Sequence, residues 1–203
     1  MKRFFKSMML IIICFFSLTV KSQEKEKSSQ IYTFKKGDFN GIGKWYLGRD
    51  NIADIGAGSG YHVFKMAPIA NKGAVYAVDI QPEMLNAILQ NPKFEQNTNI
   101  ELVQGDEKSV NLPKNTFDKV LMVDVYHEFN FPKEMIISIK EALKENGKIY
   151  LIEYRLEDES VPIKTIHKMS EKQAVKELNA AGFRLEKNIN NLPWQHCMVF
   201  VKQ

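Results

Sequence analysis

Seven consecutive residues, Asp54-Ile55-Gly56-Ala57-Gly58-Ser59-Gly60, carry the sharpest chemical signal in this chain. Glycines at alternate positions let a backbone turn through positive φ and let a ligand approach main-chain N–H groups with no Cβ in the way. The pattern is G-x-G-x-G; a dinucleotide fingerprint would need a further glycine where Tyr61 stands. Asp79 lies 23 residues beyond Gly56, where a carboxylate can accept hydrogen bonds from both hydroxyls of a ribose. Asp106, in Gln104-Gly105-Asp106, could accept from an adenine amino group or simply cap a turn. The segment Asp124-Val125-Tyr126-His127-Glu128-Phe129 sets two ionisable groups among aromatics. That composition suits a reaction site as well as ordinary loop polarity.

Such groups act together only if the elements between them bring them to one edge. Asn51–Gly56 reads as a short buried strand, and Tyr61–Ala70 as a helix after the glycine turn. Ala74–Ile80 is a second strand, followed by a helix opened by Pro82 and running to Leu89. Ile100–Asp106 is a third strand. Lys119–Val125 is nearly continuous apolar sequence, as expected of a strand buried on both faces. Pro132 opens a helix with Met135, Ile136, Ile139, Ala142 and Leu143 at helical spacing, and Asn146-Gly147 is expected to end it. Lys148–Tyr154 is a fifth strand. Ser170 caps a helix closed by Gly182, and strands Phe183–Ile189 and Cys197–Lys202 finish the chain. Strand–helix alternation predicts βαβ units and a parallel sheet with helices on both faces. The last two strands have too short a connection to be parallel, so they are expected to be antiparallel.

On these residues the chain resembles the class I S-adenosylmethionine-dependent methyltransferases. Asp54–Gly60, Val78-Asp79-Ile80, Gly105-Asp106 and Asp124–Phe129 match that family's successive motifs. Several stretches, among them Glu153-Tyr154-Arg155, His167-Lys168-Met169 and Leu192-Pro193-Trp194-Gln195-His196, resemble uncharacterised bacterial methyltransferase-domain proteins. The resemblance implies a Rossmann-like, seven-stranded α/β sheet, mostly parallel with the last strand antiparallel. It implies S-adenosylmethionine as cofactor: Asp54, Gly56, Gly58 and Gly60 around its amino-acid part, Asp79 and Ile80 at the ribose, Asp106 at the adenine, and Asp124 also among the cofactor-binding residues. His127 or Glu128 would take the acceptor's proton, or Tyr126 and Phe129 would face the sulfonium. Tyr126, Tyr154, Arg155, His167, Trp194 and His196 are expected to shape an acceptor pocket. No metal site is expected, because His127, His167 and His196 lack close ligand pairing in the sequence.

The 203 residues carry 28 Lys plus Arg against 24 Asp plus Glu, with 44% apolar residues. That is too apolar for a disordered chain. The basic surplus sits at the front. Lys2, Arg3 and Lys6 precede the uncharged run 8–20, which reads as a secretory signal peptide over residues 1–22, followed by a polar linker 23–30 and one domain over 31–203. An uncleaved segment tethering the protein to the membrane is the competing arrangement. Taking Lys2, Arg3, Lys6 and Lys21 from the 28 basic residues leaves 24, against 24 acidic. A neutral mature chain with no basic stripe disfavours nucleic acid and points to a small-molecule acceptor. An exported protein that binds S-adenosylmethionine without transferring methyl is the alternative, since the cofactor is made in the cytoplasm.

Overall fold

In the computed structural model, which describes residues 48–203, the apolar runs assemble into one mixed sheet. Its strands are β1 (Ile52–Ile55), β2 (Val75–Asp79), β3 (Ile100–Gln104), β4 (Phe117–Val123), β5 (Leu143–Arg155), β6 (Lys168–Met169), β7 (Phe183–Asn188) and β8 (Gln195–Lys202). The order across the sheet is β3-β2-β1-β4-β5-β8-β7, with β6 paired to β5 off this path. From β3 to β5 every pairing is parallel. β8 runs antiparallel to both β5 and β7, as the short final connection requires. All four residues of β1 are buried, which is what covering both faces of a central strand demands. The signal peptide, the linker and residues 31–47 of the expected domain lie outside the described residues. Among the described residues no helix is long and apolar enough to cross a membrane.

Among the described residues the α-helices are α1 (Val63–Met66), α2 (Pro82–Leu89), α3 (Pro92–Glu95), α4 (Pro132–Ala142) and α5 (Glu171–Ala180). The helix opened by Pro82 and the Ser170 cap, whose Oγ accepts from the Gln173 N–H at 3.1 Å, form as the sequence predicts. Two expectations need correction. Helix α1 is much shorter than 61–70, because Pro68 has no N–H and its ring crowds the preceding turn. The helix before β5 stops at Ala142, not at Asn146-Gly147. Leu143 turns to extended backbone (φ −70°, ψ 138°) and pairs with Phe117; both side chains are fully buried. Burial of that pair outweighs the local preference of Asn-Gly for a turn. Gly147 then lies inside β5, where a Cβ would sit 2.9 Å from the Phe117 carbonyl oxygen. Short α3 was not expected, although Asn91 caps it by accepting from the Lys93 N–H at 3.0 Å.

β6 also went unpredicted, and it matters most for the site. At Tyr154 one edge of β5 is taken by Gln195 of β8. Lys168 of β6 must therefore use the other edge, beyond Val123↔Ile152, where the pairing with β4 ends. The single 3-10 turns Tyr126–Glu128, after β4, and Thr165–His167, before β6, are thus brought side by side.

Candidate functional site

The carboxyl ends of β1, β2 and β4 open on a cleft of about 290 Å³. Parallel α/β sheets bind ligands at this edge. Asp79 is its anchor. One carboxylate oxygen accepts from the Gly58 N–H and the other from the Gln81 N–H, each at 2.9 Å. The glycine turn is thereby held against the end of β2. Gly58 has φ +51°, and nothing lies within 4 Å of where its Cβ would be, so the backbone faces open space. Gly60 differs: at φ +88° a Cβ would meet Phe64 at 2.8 Å and Ile88 at 3.0 Å. Its task is to let α1 pack on α2. Gly56 lines the cleft and rests on Val125.

Asp54 stands behind this turn, in the core of the sheet. Its carboxyl pKa is pushed up to about 8, first by burial and then by the charge of Asp79. Ile80, half exposed, gives the cleft an apolar wall beside Asp79. Asp106 lines the cleft too, but one of its oxygens also accepts from the Lys108 and Ser109 N–H groups, each at 2.8 Å. It caps a turn while presenting a carboxylate. A buried acceptor pair, an open glycine backbone and an apolar wall fit a ligand with an amino-acid part, a ribose and a flat base.

Beyond Asp79 the cleft continues to Asp124, Glu128 and Phe129. Asp124 has φ +49° and neither of its oxygens makes a strict hydrogen bond, although Gln195 and the Tyr154 backbone lie close enough to favour its charge. Burial, then Glu153, nevertheless raises its pKa well above the usual carboxylate range. Glu153 itself is fully buried in β5. It accepts from the Tyr126 N–H at 2.8 Å and contacts His127 Nδ1 at 2.7 Å. That contact fixes the imidazole through Nδ1 and turns its other nitrogen, Nε2, toward His167. That hydrogen bond, followed by the charges of Glu153, Glu128 and Asp124, lifts the His127 pKa against the opposing effect of burial. His167 Nδ1 lies 3.3 Å from His127 Nε2, and a Glu128 carboxylate oxygen lies 3.9 Å from the same nitrogen.

Glu153 is the residue that sequence reasoning missed. Its signal was a single acid within the buried run of β5, since carboxylates are almost never fully buried without a partner. Several expected pocket residues lie elsewhere, and the fold gives the reason. Tyr126 is buried and its hydroxyl donates to Glu177 at 2.8 Å, so the phenol points toward α5 and not into the cleft. Tyr154 is fully buried in the sheet. Arg155 donates to the carbonyls of Leu192 and Pro193 at 3.0 and 3.1 Å, and its N–H donates to the Trp194 carbonyl at 3.0 Å. Both Arg155 and Trp194 thus shape the turn before β8 and do not border the cleft. His196 contacts Glu157 at 3.0 Å and Asn188 at 3.1 Å. It belongs to a separate network away from His127.

Comparison with known proteins agrees with this geometry. A family model described as a methyltransferase domain matches residues 48–196, well over half of the chain. An uncharacterized methyltransferase of Bacillus subtilis, YdaC, is 29% identical over 134 residues, 66% of this chain and 71% of that protein. The tRNA U34 carboxymethyltransferase of Campylobacter jejuni is 31% identical over 129 residues; the match spans 58% of this chain and only 41% of that enzyme. Among solved structures, a SAM-dependent methyltransferase from Aquifex aeolicus superposes with a TM-score of 0.72 at 23% identity, covering 79% of this chain and 87% of that one. The methyltransferase CalH, solved with SAH, gives 0.64 at 17% identity, covering 84% and 60%. At such identities these two structures are likenesses of fold.

Proposed function

This chain belongs to the methyltransferase-domain family, with S-adenosylmethionine as its cofactor, and from that premise we propose that it methylates a small-molecule acceptor at the Glu128 end of the cleft, where His127 stands behind the lining residues. When bound, S-adenosylmethionine supplies a methyl group on a sulfonium, so the protein's share is alignment and electrostatics. Gly58 leaves its backbone open to the amino-acid part of the cofactor, while Asp79 and Ile80 take the ribose side. Alignment of this kind is worth up to about 7–11 kcal/mol. His127, oriented by Glu153, together with Glu128, activates the acceptor's heteroatom by managing its proton, worth about 10²–10⁴-fold.

The observation that carries this reading is the continuity of one cleft from the Asp79-anchored glycine turn to Glu128. Two measurements test it. Equilibrium dialysis should show S-adenosylmethionine binding, and an acceptor screen should release S-adenosylhomocysteine. Absence of binding would sink the reading; binding with no turnover on any acceptor class would favour the exported binding protein. A small acceptor is supported by the charge balance left after residues 1–22 are removed, although the Campylobacter relative is named for tRNA. Export rests on the basic, apolar N-terminus. Mass spectrometry of the mature N-terminus from fractionated cells should find Met1 missing, and intact Met1 in the cytoplasm would overturn it.

A further inference from the structure

We propose that His127, Glu128 and His167 hold one divalent transition-metal ion at the acceptor end of the cleft, with Glu153 positioning His127 from behind. Each of the three offers one ligand atom, and these atoms lie within 4.8 Å of one another. Tetrahedral zinc with bonds of about 2.0–2.1 Å separates its ligand atoms by roughly 3.3 Å. The His127 Nε2 to His167 Nδ1 distance is 3.3 Å. The Glu128 oxygen, at 3.9 Å from Nε2, belongs to a side chain that is 63% exposed, so a small rotation closes the remaining gap. A simple hydrogen bond between the imidazoles would explain the first distance. It would not explain why a carboxylate turns toward the same nitrogen while Glu153 fixes the opposite one.

The carboxylate–histidine contact at 2.7 Å is the arrangement that orients metal-bound imidazoles and raises their basicity. The ligands arrive on two different 3-10 turns, joined only because β6 docks where β4 ends. Two neutral imidazoles and one carboxylate leave a divalent ion with a net positive charge and an open fourth position, as catalytic sites keep. Glu128 also lines the cleft, so that position borders the space for the acceptor.

This deepens the methyltransferase reading and rests on it for the substrate class: a hydroxyl or thiol compound. With the ion bound, His127 and Glu128 act as its ligands and the ion, not a side-chain base, activates the acceptor. The acceptor would displace the metal-bound water, and its O–H or S–H proton would pass to solvent. The resulting oxygen or sulfur anion would stay on the metal with its lone pair free to form a bond to the methyl carbon, as the S–CH3 bond of the sulfonium breaks and its electron pair leaves on the sulfur of S-adenosylhomocysteine. Metal coordination lowers the pKa of a bound group by many units, which makes this route available at neutral pH.

The test uses the purified full-length chain, stripped with a chelator and titrated with Zn²⁺ alone. One zinc per chain is expected. His127→Ala and His167→Ala should each weaken it at least 100-fold, and Glu153→Gln by about 10–100-fold. S-adenosylmethionine affinity should stay within threefold in all three variants, which also shows that they fold. Failure of the wild type to bind zinc stoichiometrically, or binding that survives both histidine variants, overturns the site. Acceptor turnover should vanish on stripping and return with Zn²⁺; full turnover in the stripped enzyme would overturn the metal's role in activation. Zinc binding without S-adenosylmethionine binding would uphold the site and overturn the methyltransferase reading.

Discussion

The two ends of the cleft are built by different means. At the Asp79 end, proposed for the cofactor, the site is built from backbone: an open glycine turn pinned by Asp79 across 21 residues of sequence. At the Glu128 end, proposed for the acceptor, it is built from side chains carried by separate elements, with Glu153 26 residues and His167 40 residues from His127. The first kind of site is local and tolerates changes around it. The second depends on a buried carboxylate and on where a two-residue strand docks. Perturbing one end should therefore leave the other largely intact.

The largest expected effect is at Asp79. Replacing it with Ala removes the acceptor for two backbone N–H groups, and should weaken S-adenosylmethionine at least about 100-fold by calorimetry. Turnover should fall with it, while any activity of the acceptor end on metal or acceptor binding persists. Next, Glu153→Gln should lower kcat about 10–100-fold and leave cofactor affinity within threefold. An equal loss of cofactor binding would mean that the two ends are a single unit.

The pH dependence of stability sharpens the same contrast. Asp54 holds its proton in the folded state up to about pH 8, whereas an unfolded Asp releases it near its ordinary value of 3.8. The folded state then binds more protons, so stability should fall as pH rises from 3.8 toward about 8, by at most about 1.4 kcal/mol per unit. His127, also raised, acts in the same direction. Urea unfolding of Asp54→Asn should show a flatter profile than wild type, and an unchanged slope would exclude Asp54 as its source. The smallest effect separates two glycines. Gly58→Ala carries only the left-handed backbone penalty of about 1–2 kcal/mol, with open space for the methyl group. Gly60→Ala adds contact with Phe64 and Ile88, about 1–3 kcal/mol more. Thermal melts should rank them in that order.

The contrast also explains what was legible in the chain. Asp79 sits near Gly58 because a strand, a turn and a helix connect them in a fixed way; spacing placed both at one edge of the sheet, and the structure adds the hydrogen bond between them. The apolar runs likewise implied the parallel core and the antiparallel ending. Tyr126 and Tyr154 looked like pocket aromatics, yet burial against Glu177 and within the sheet takes them inward. Asn146-Gly147 looked like a helix end, and a paired Leu143 and Phe117 overruled it. In both cases long-range packing energy exceeded a local preference.

By itself the sequence determined the α/β architecture, the glycine turn and the acids at the strand ends, because periodicity and short spacings act through the backbone. Tertiary structure decided which histidines meet. His127 and His167 converge, and His196 does not, because β6 takes the edge of β5 that β4 vacates and His196 lies on β8 across the opposite edge. No local rule encodes that choice; it follows from which strand edges remain unpaired once the sheet has closed.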